Sequence, residues 1–126
     1  MAYLVDSYAW IEYLRGSSNG EKVNKILNSK DCFTLNLVIS EVVSKLKREK
    51  KDYELAYTAI INNSKILFSS PKFSKEIGLL HAEMKSKSKN FGLIDAHLLF
   101  LSKEFNLKII TGDMHFKNHK NVLFLN

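Results

Sequence analysis

Apolar residues along the chain form two alternating patterns: short runs typical of buried strands, and longer stretches with helical periodicity. The runs that predict strands lie at residues 3–5, 32–35, 66–68, 108–111 and 122–125. Strands that alternate with helices along a chain are typical of a parallel sheet with helices on both faces. The pattern therefore predicts an α/β fold in which helices cover a mainly parallel sheet of four to five strands.

The predicted helices have recognisable ends. Ser7 is predicted to cap a helix over residues 8–15 that Gly16 ends, and Asn36 is predicted to cap a helix over residues 37–47. Four further helices are predicted at residues 23–28, 52–63, 73–84 and 93–105. The last of these is apolar on most of its circumference, as expected for a helix buried inside an α/β domain.

Length and composition fit one ordinary globular domain. The chain has 126 residues, of which 45% are hydrophobic and 25% charged, so we expect a single domain over residues 1–126. No apolar run is long enough to cross a membrane, and Asp6 interrupts the apolar N-terminus where a secretory signal would continue. Cys32, the only cysteine, is expected to be a reduced core thiol. These features predict a cytoplasmic protein with no membrane association.

The net charge of +6 is compatible with a polyanionic partner such as a nucleic acid. Basic residues concentrate at residues 45–51 and 85–89. Taken alone, each segment is also explained as a solvated helix end, where the helix dipole favours basic residues. The charge therefore admits a nucleic-acid partner without establishing one.

Two carboxylates lie beside strongly apolar segments: Asp95 in the first turn of helix 93–105, and Asp113 just after strand 108–111. A helix of about a dozen residues is about 18 Å long, roughly the length of a short strand, so the helix and the returning strand bring both residues to one edge of the sheet. The same argument places Asp6, after the first strand, and Glu41, in the helix after the second, at this edge. Open α/β sheets bind ligands there, at the carboxyl ends of their strands.

Four carboxylates in one place repel one another, and the simplest compensation is a hard divalent cation. Oxygen ligands without histidine or cysteine indicate Mg²⁺ or Mn²⁺ rather than zinc. Each acid also has a simpler explanation. Asp6 could cap the first helix, and Glu41 could pair with Lys45 on a helix surface. Asp95 could be an acid that the helix dipole favours, and Asp113 a turn residue, but these explanations do not account for the convergence on one edge.

The four histidines are weaker candidates. His97 lies two residues after Asp95 and therefore points away from it on a helix. His81 is expected in the core or on its flank. His115 and His119 could be metal ligands, but the favoured interpretation is that they are loop residues in contact with solvent or RNA.

Four segments, in their order and spacing, resemble the PIN-domain family and, within it, the VapC-type toxins of toxin–antitoxin pairs. The segments are VDSYAW, SEVVSKL, GLIDAHLL and TGDMHF, which contain Asp6, Glu41, Asp95 and Asp113. The resemblance covers essentially the whole chain. It implies a three-layer α/β/α sandwich and a metal-dependent endoribonuclease for single-stranded RNA, with these four acids as catalytic residues and as ligands of Mg²⁺ or Mn²⁺.

The resemblance also implies supporting residues and partners. Ser7 and Thr111 match small hydroxyl residues that often support the acidic pocket, and His115 stands where many relatives have a further acid. A homodimer is implied, with a small antitoxin whose basic side chain, expected to be arginine, reaches the carboxylates in place of metal. The candidate contact surface is the apolar face of the first two helices, although the core is the more usual place for most of its residues: Trp10, Ile11, Leu14, Val23 and Ile26.

In such a site the cation lowers the pKa of bound water and polarises the phosphoryl oxygen, while Glu41 completes the metal shell or acts as a general base. Lys117 and Lys120 are predicted to hold the RNA backbone. The alternative function is a PIN ribonuclease of RNA maturation without an antitoxin, and a neighbouring antitoxin gene would decide against it. A Mg²⁺-binding phosphoacceptor receiver domain is disfavoured, because Asp6 has no adjacent acid.

Overall fold

The computed structural model describes the whole chain, Met1–Asn126, as a five-stranded sheet covered by helices. The strands are β1 (Ala2–Val5), β2 (Cys32–Leu35), β3 (Lys65–Leu67), β4 (Leu107–Thr111) and β5 (Val122–Phe124). Their order across the sheet is β3-β2-β1-β4-β5, and every neighbouring pair is parallel. The predicted parallel α/β/α sandwich is therefore confirmed.

Six α-helices and one short 3₁₀ helix connect the strands. They are α1 (Ser7–Arg15), α2 (Ser18–Ser29), α3 (Asn36–Arg48), α4 (Tyr53–Asn63), α5 (Pro71–Lys87), α6 (Leu93–Glu104) and the 3₁₀ helix (Met114–Phe116). Helix α1 packs against α2 and α3, α3 packs against α4, and α5 packs against α6. No helix combines the length and the apolar character that a membrane span requires.

Two predicted helix caps are wrong by one residue. Asp6, not Ser7, is the N-cap of α1: its backbone is extended, and its carboxylate accepts a hydrogen bond from the Ser7 N–H at 2.7 Å. Asn36 is already the first residue of α3, and Leu35 precedes it without a side-chain cap. In both places the extended strand passes directly into the helix, so the boundary falls one residue before the expected one. Gly16 ends α1 in the left-handed conformation, as predicted.

The other predicted elements are present, with shifted ends. Helix α2 begins at Ser18, because the Ser17 hydroxyl caps it by accepting from the Gly20 N–H at 3.0 Å. Its first turn has no apolar periodicity, which is why the sequence pattern does not include it. Gly20 also lets α2 approach α1 closely, since a Cβ atom there would collide with the Glu12 carbonyl.

The apolar face of the first two helices belongs to the core. Trp10 is fully buried, and its indole N–H donates to the Thr34 hydroxyl at 3.1 Å. The other four residues of this face are buried or half-buried in the same core: Ile11, Leu14, Val23 and Ile26. The core, the simpler explanation of this face, therefore accounts for Trp10, Ile11 and Val23, while Leu14 and Ile26 keep part of their surface exposed. Cys32 is also buried, which raises the pKa of its thiol to about 11, as expected of an unreactive core cysteine.

The central pair of strands positions the candidate site. Val5 of β1 pairs in register with Ile110 of β4, so the residues that follow the two strands lie side by side. The Asp6 N–H continues this pairing by donating to the Ile110 carbonyl at 3.1 Å. Asp6 and the end of β4 at Thr111 therefore meet at the carboxyl edge of the sheet.

Candidate active site

The four predicted acids come from four elements around the carboxyl edge of the sheet. Asp6 follows β1 and caps α1, and Asp113 follows β4 and caps the 3₁₀ helix. Asp95 lies in the first turn of α6, and Glu41 lies in the first half of α3. The other three acids are close enough to Glu41 for each of their charges to raise its pKa. The structure therefore places all four in one neighbourhood.

Thr111 joins two of these acids. Its hydroxyl donates to Asp6 Oδ2 at 2.7 Å and accepts from the Asp113 N–H at 3.0 Å. The Ser7 N–H and the Ser7 hydroxyl contact the other oxygen, Asp6 Oδ1, at 2.7 and 3.4 Å. Thr111 is fully buried, and Asp6 is 5% exposed. Hydrogen bonds to both oxygens thus fix the orientation of the Asp6 carboxylate before any ligand binds.

Asp95, Asp113 and His115 form a compact group whose potential ligand atoms all lie within 4.8 Å of one another. His115 Nδ1 is 3.0 Å from Asp95 Oδ2 and 3.4 Å from Asp113 Oδ1. The backbone N–H of Gly92 donates to Asp95 Oδ2 at 2.9 Å, and the backbone N–H of His115 donates to Asp113 Oδ1 at 2.9 Å. The four acids thus form two groups. Asp95 and Asp113 both contact His115, and Asp6 and Glu41 are their neighbours.

The His115 ring contacts the carboxylates while its side chain stays 30% exposed, so the structure brings to the acids a residue that the sequence ranked below them. The 3₁₀ helix turns the chain back after Asp113, and sequence separation alone does not reveal that turn. The sequence did contain one signal. His115 lies two residues after Asp113, where the resemblance to the PIN-domain family implies a site residue. The other histidines lie elsewhere: His97 Nδ1 contacts the Leu93 carbonyl at 2.8 Å, and His119 lines a different cavity.

Two of the acids have pKa values well above the usual range of a carboxyl group. Burial raises the pKa of Asp6 from 3.8 to about 6, against the hydrogen bonds that it accepts, which lower it. Burial also raises the pKa of Glu41 from 4.5 to about 7, and the charge of Asp6 is the next cause. Asp95 and Asp113 add to both shifts. Negative charge is therefore unfavourable at this edge without a compensating cation.

One oxygen atom of Glu41 indicates that a cation fits at this edge of the sheet. Oε1 is buried and has no hydrogen-bond partner. The surface pairing with Lys45 is not formed, because Lys45 Nζ lies 3.0 Å from Glu49 instead. A buried oxygen without a partner costs free energy unless a ligand satisfies it. Together with the compact group of carboxylate oxygens and one imidazole nitrogen from Asp95, Asp113 and His115, this unpartnered oxygen fits a site for a divalent cation.

A cavity of about 340 Å³ opens beside the acids. Asp6 and Asp113 lie in its wall, together with Tyr8, Arg15 and Lys45. Lys45 belongs to a segment that composition alone explains as a solvated helix end. Its spacing of four residues from Glu41 was the signal that places both on the same face of α3.

The two predicted RNA-binding lysines do not line this acidic cavity. Lys117 Nζ lies 5.9 Å from the centroid of the Phe124 ring. Lys120 lines a second cavity, of about 670 Å³, between α5, α6 and β5. Positive charge beside the acids therefore comes from Arg15 and Lys45.

Comparison with known proteins places this arrangement in a family. The PIN domain matches residues 3–122 of the sequence. The chain belongs to the PIN-domain family. PIN domains are nucleases, and the sequence-based resemblance to this family is confirmed. Among curated proteins, none matches the chain.

Solved structures with the fold of this PIN domain include proteins of toxin–antitoxin systems. VapBC2 from Rickettsia felis, in a crystal structure with a DNA fragment from their promoter, is 17% identical, with a TM-score of 0.75 over 100% of this chain and 98% of that chain. VapC20 from Mycobacterium tuberculosis, a sarcin–ricin loop cleaving toxin, is 16% identical, with a TM-score of 0.75 over 97% of each chain. A toxin–antitoxin complex from Klebsiella pneumoniae is 18% identical, with a TM-score of 0.70 over 96% of this chain and 95% of that chain. At these identities the likeness shows a shared fold.

Proposed function

We propose that this protein is a divalent-metal-dependent endoribonuclease that cleaves single-stranded RNA, and that it acts as the toxin of a toxin–antitoxin pair. The observation that carries the proposal is the convergence of four carboxylates at one edge of the sheet, one of which, Glu41, has a buried oxygen without a partner. Membership of the PIN-domain family supports it, because PIN domains are nucleases.

Asp6, Glu41, Asp95 and Asp113 would hold Mg²⁺ or Mn²⁺. Carboxylates are ligands that both ions take in proteins. When bound, such an ion polarises a phosphoryl oxygen and lowers the pKa of a water molecule. Its positive charge would offset the burial and like-charge repulsion that raise the pKa of Asp6 and Glu41.

The side chains supply orientation and proton transfer. Ser7 and Thr111 hold both oxygens of Asp6, so this acid is aligned before RNA binds. Glu41, whose Oε1 is buried without a hydrogen-bond partner, would complete the metal shell or take a proton from the attacking water.

The mouth of the acidic cavity suits a single strand of RNA. Arg15 and Lys45 provide positive charge for phosphate groups. The Tyr8 side chain is 39% exposed, and its ring packs directly on Gly112, where a Cβ atom would collide with it. Stacking of a base on an exposed aromatic ring contributes about 1–3 kcal/mol. Because bases in a duplex already stack on one another, this arrangement favours an unpaired strand.

Support for the toxin assignment comes from proteins of the same fold. One is part of a toxin–antitoxin complex, and another is a toxin that cleaves the sarcin–ricin loop. We therefore propose a homodimer in the cytoplasm that is inhibited by a small antitoxin, whose basic side chain pairs with the acids. The alternative, a PIN ribonuclease of RNA maturation, predicts that no antitoxin gene lies beside the gene for this chain.

Cleavage of a single-stranded RNA by the purified protein tests the activity. We expect cleavage with Mg²⁺ or Mn²⁺, no cleavage in EDTA, and recovery when Mn²⁺ is added in excess. The same RNA annealed to its complement is the matched control and should be cut much more slowly. Cleavage that persists in EDTA would contradict a metal-dependent mechanism. Growth arrest on expression, relieved by co-expression of the neighbouring gene, tests the toxin assignment separately.

A further inference from the structure

We propose that His115 Nδ1 is itself a metal ligand, which makes this a mixed nitrogen–oxygen centre that selects Mn²⁺ over Mg²⁺. The inference rests on the proposed function, since it requires that a divalent cation binds at the acids. It narrows the expectation from sequence, which took the four carboxylates as the ligands, kept His115 as a less favoured candidate and did not separate the two ions.

The spacing of the ligand atoms fits one cation. Two atoms that each lie about 2.1 Å from an octahedral ion are about 3.0 Å apart when adjacent and about 4.2 Å apart when opposite. His115 Nδ1 is 3.0 Å from Asp95 Oδ2 and 3.4 Å from Asp113 Oδ1. An imidazole at these distances can enter the same coordination shell as the two carboxylates with only small side-chain movements.

The imidazole ring is held in place by its surroundings. The backbone N–H of His115 donates to the carboxylate of Asp113, and this hydrogen bond fixes the start of the 3₁₀ helix. The centroid of the ring lies 6.1 Å from that of Phe91, which is 2% exposed and therefore part of the packed interior. The His115 side chain is 30% exposed, far less than a freely rotating surface histidine. A side chain that is already ordered loses little conformational entropy when it binds a metal.

An imidazole among the ligands changes which ion the site favours. Mg²⁺ takes oxygen ligands, whereas imidazole nitrogen suits first-row transition metals. A neutral nitrogen also adds no negative charge, and charge is what attracts a hard cation such as Mg²⁺. Mn²⁺ stands at the weak end of the affinity order of these metals for nitrogen and oxygen sites. Among the first-row metals, Mn²⁺ should therefore show the smallest preference over Mg²⁺ at a site with an imidazole ligand.

Isothermal titration calorimetry with Mn²⁺ and with Mg²⁺ measures the ratio of the two affinities. We expect wild type to favour Mn²⁺ by at least about tenfold, and His115→Gln to lose at least about tenfold in Mn²⁺ affinity with a smaller effect on Mg²⁺. His115→Asp restores an all-oxygen set and should bring the two affinities closer. His119→Gln is the matched control, because it changes a histidine nearby in the chain that does not contact the acids, and it should leave the ratio unchanged.

Loss of affinity alone does not separate a ligand from a residue that only orients Asp95 through a hydrogen bond, since such residues also contribute about 10–100-fold. Pulsed electron paramagnetic resonance of the Mn²⁺ complex separates the two, because only a nitrogen bound to the ion gives a strong nuclear coupling. We expect this coupling in wild type and in His119→Gln, and its loss in His115→Gln. The wild-type spectrum needs no variant, so the test holds even where a substitution impairs folding.

A wild-type Mn²⁺ complex without strong nitrogen coupling, or equal Mn²⁺/Mg²⁺ ratios in wild type and His115→Gln, overturns the inference about His115. Asp95→Asn distinguishes this from a failure of the proposed function. If Asp95→Asn loses metal binding while His115→Gln keeps both affinities, the acidic metal site stands and only the role of His115 is overturned. If wild type binds neither ion, the inference and the proposed metal-dependent activity are overturned together.

Discussion

Two cavities of this protein differ in size and in the surroundings of the carboxylates beside them. The larger, of about 670 Å³, lies between α5, α6 and β5, and half of its lining residues are hydrophobic. The smaller, of about 340 Å³, has Asp6 and Asp113 in its wall. Burial raises the pKa of Asp6, which lies at the smaller cavity, and the charge of Asp6 adds to the raised pKa of Glu41. Volume alone would therefore have pointed away from the candidate site.

The charged residues of the larger cavity are ordinary surface groups. Glu83 lies 4.0 Å from Lys87, and the two side chains are 68% and 70% exposed. Exposed pairs of this kind contribute little, because water screens them. Asp6 at the acidic cavity is 5% exposed, and its pKa is about 6. In this fold an unfavourable arrangement of charge, held in a fixed geometry, marks the candidate site better than space does.

Substitutions at the acidic edge of the sheet and at the larger cavity should differ most in RNA cleavage. Asp6→Asn and Asp95→Asn each remove a carboxylate while nearly preserving shape, and each should lower the cleavage rate by at least about a hundredfold. Glu83→Gln, at the larger cavity, should leave the rate unchanged. Single-turnover cleavage of a labelled single-stranded RNA measures all three rates. Near-wild-type cleavage in either aspartate variant would rule out the acidic edge as the active site.

The convergence of the acids could be predicted from sequence because it depends only on topology. Periodicity locates the strands and helices, since each element has a buried face. In a parallel sheet every strand ends at the same edge, so Asp6 and Asp113, which follow strands, must lie there. Glu41 and Asp95 lie near the starts of helices that begin at that edge. None of these steps requires side-chain detail.

The rest could not be predicted, because it depends on short irregular segments and on packing partners. His115 reaches the acids only because the residues after Asp113 form a 3₁₀ turn. Periodicity shows that a helix face is buried without showing what buries it. Trp10 is therefore compatible with a protein partner until its contact with Thr34 inside the core is known.

Metal should stabilise the protein through the acidic edge and not through the larger cavity. A cation that binds only the folded state, at a hundredfold excess over its Kd, adds about 2.7 kcal/mol to the free energy of unfolding. Wild type and Glu83→Gln should therefore melt at higher temperature with Mn²⁺ than with EDTA, and Asp95→Asn should gain clearly less. Circular dichroism melts of the three proteins give the comparison. An equal gain in Asp95→Asn and wild type would show that Asp95 is not a ligand.

Without metal, the contribution of the acidic edge to stability should fall as pH rises from about 4 to about 7. Asp6 and Glu41 have pKa values of about 6 and about 7 in the folded protein, above their ordinary values of 3.8 and 4.5. In this interval the folded state holds more protons than the unfolded chain, so raising the pH favours unfolding until both groups are ionised.

Glu41→Gln isolates this effect, because the glutamine side chain does not ionise. Urea unfolding in EDTA, at about pH 5 and about pH 8, should show a smaller loss of unfolding free energy in the variant than in wild type. Glu83→Gln serves as the control at the larger cavity and should follow wild type. The same pH dependence in all three proteins would contradict the raised pKa of Glu41.

The smallest effect should separate the lysines of the two cavities. Lys45 lines the acidic cavity and Lys120 the larger one. If the RNA backbone crosses the acidic cavity, Lys45→Ala should weaken binding several-fold and reduce the slope of log affinity against log salt by about one. Lys120→Ala should change neither quantity. Lys45 also pairs with Glu49, but Lys51 contacts Glu49 at 3.3 Å as well, so the substitution should cost little stability.

Fluorescence anisotropy with a labelled single-stranded RNA, measured in EDTA so that no cleavage occurs, gives the affinity over a series of salt concentrations. A reduced slope in Lys45→Ala alone places the backbone beside Asp6 and Asp113, where the chemistry requires it. A reduced slope in Lys120→Ala alone would mean that the strand follows the larger cavity. The sequence-based choice of Lys120 as an RNA contact would then be right, and the choice of Lys45 from its place in the acidic cavity would be wrong.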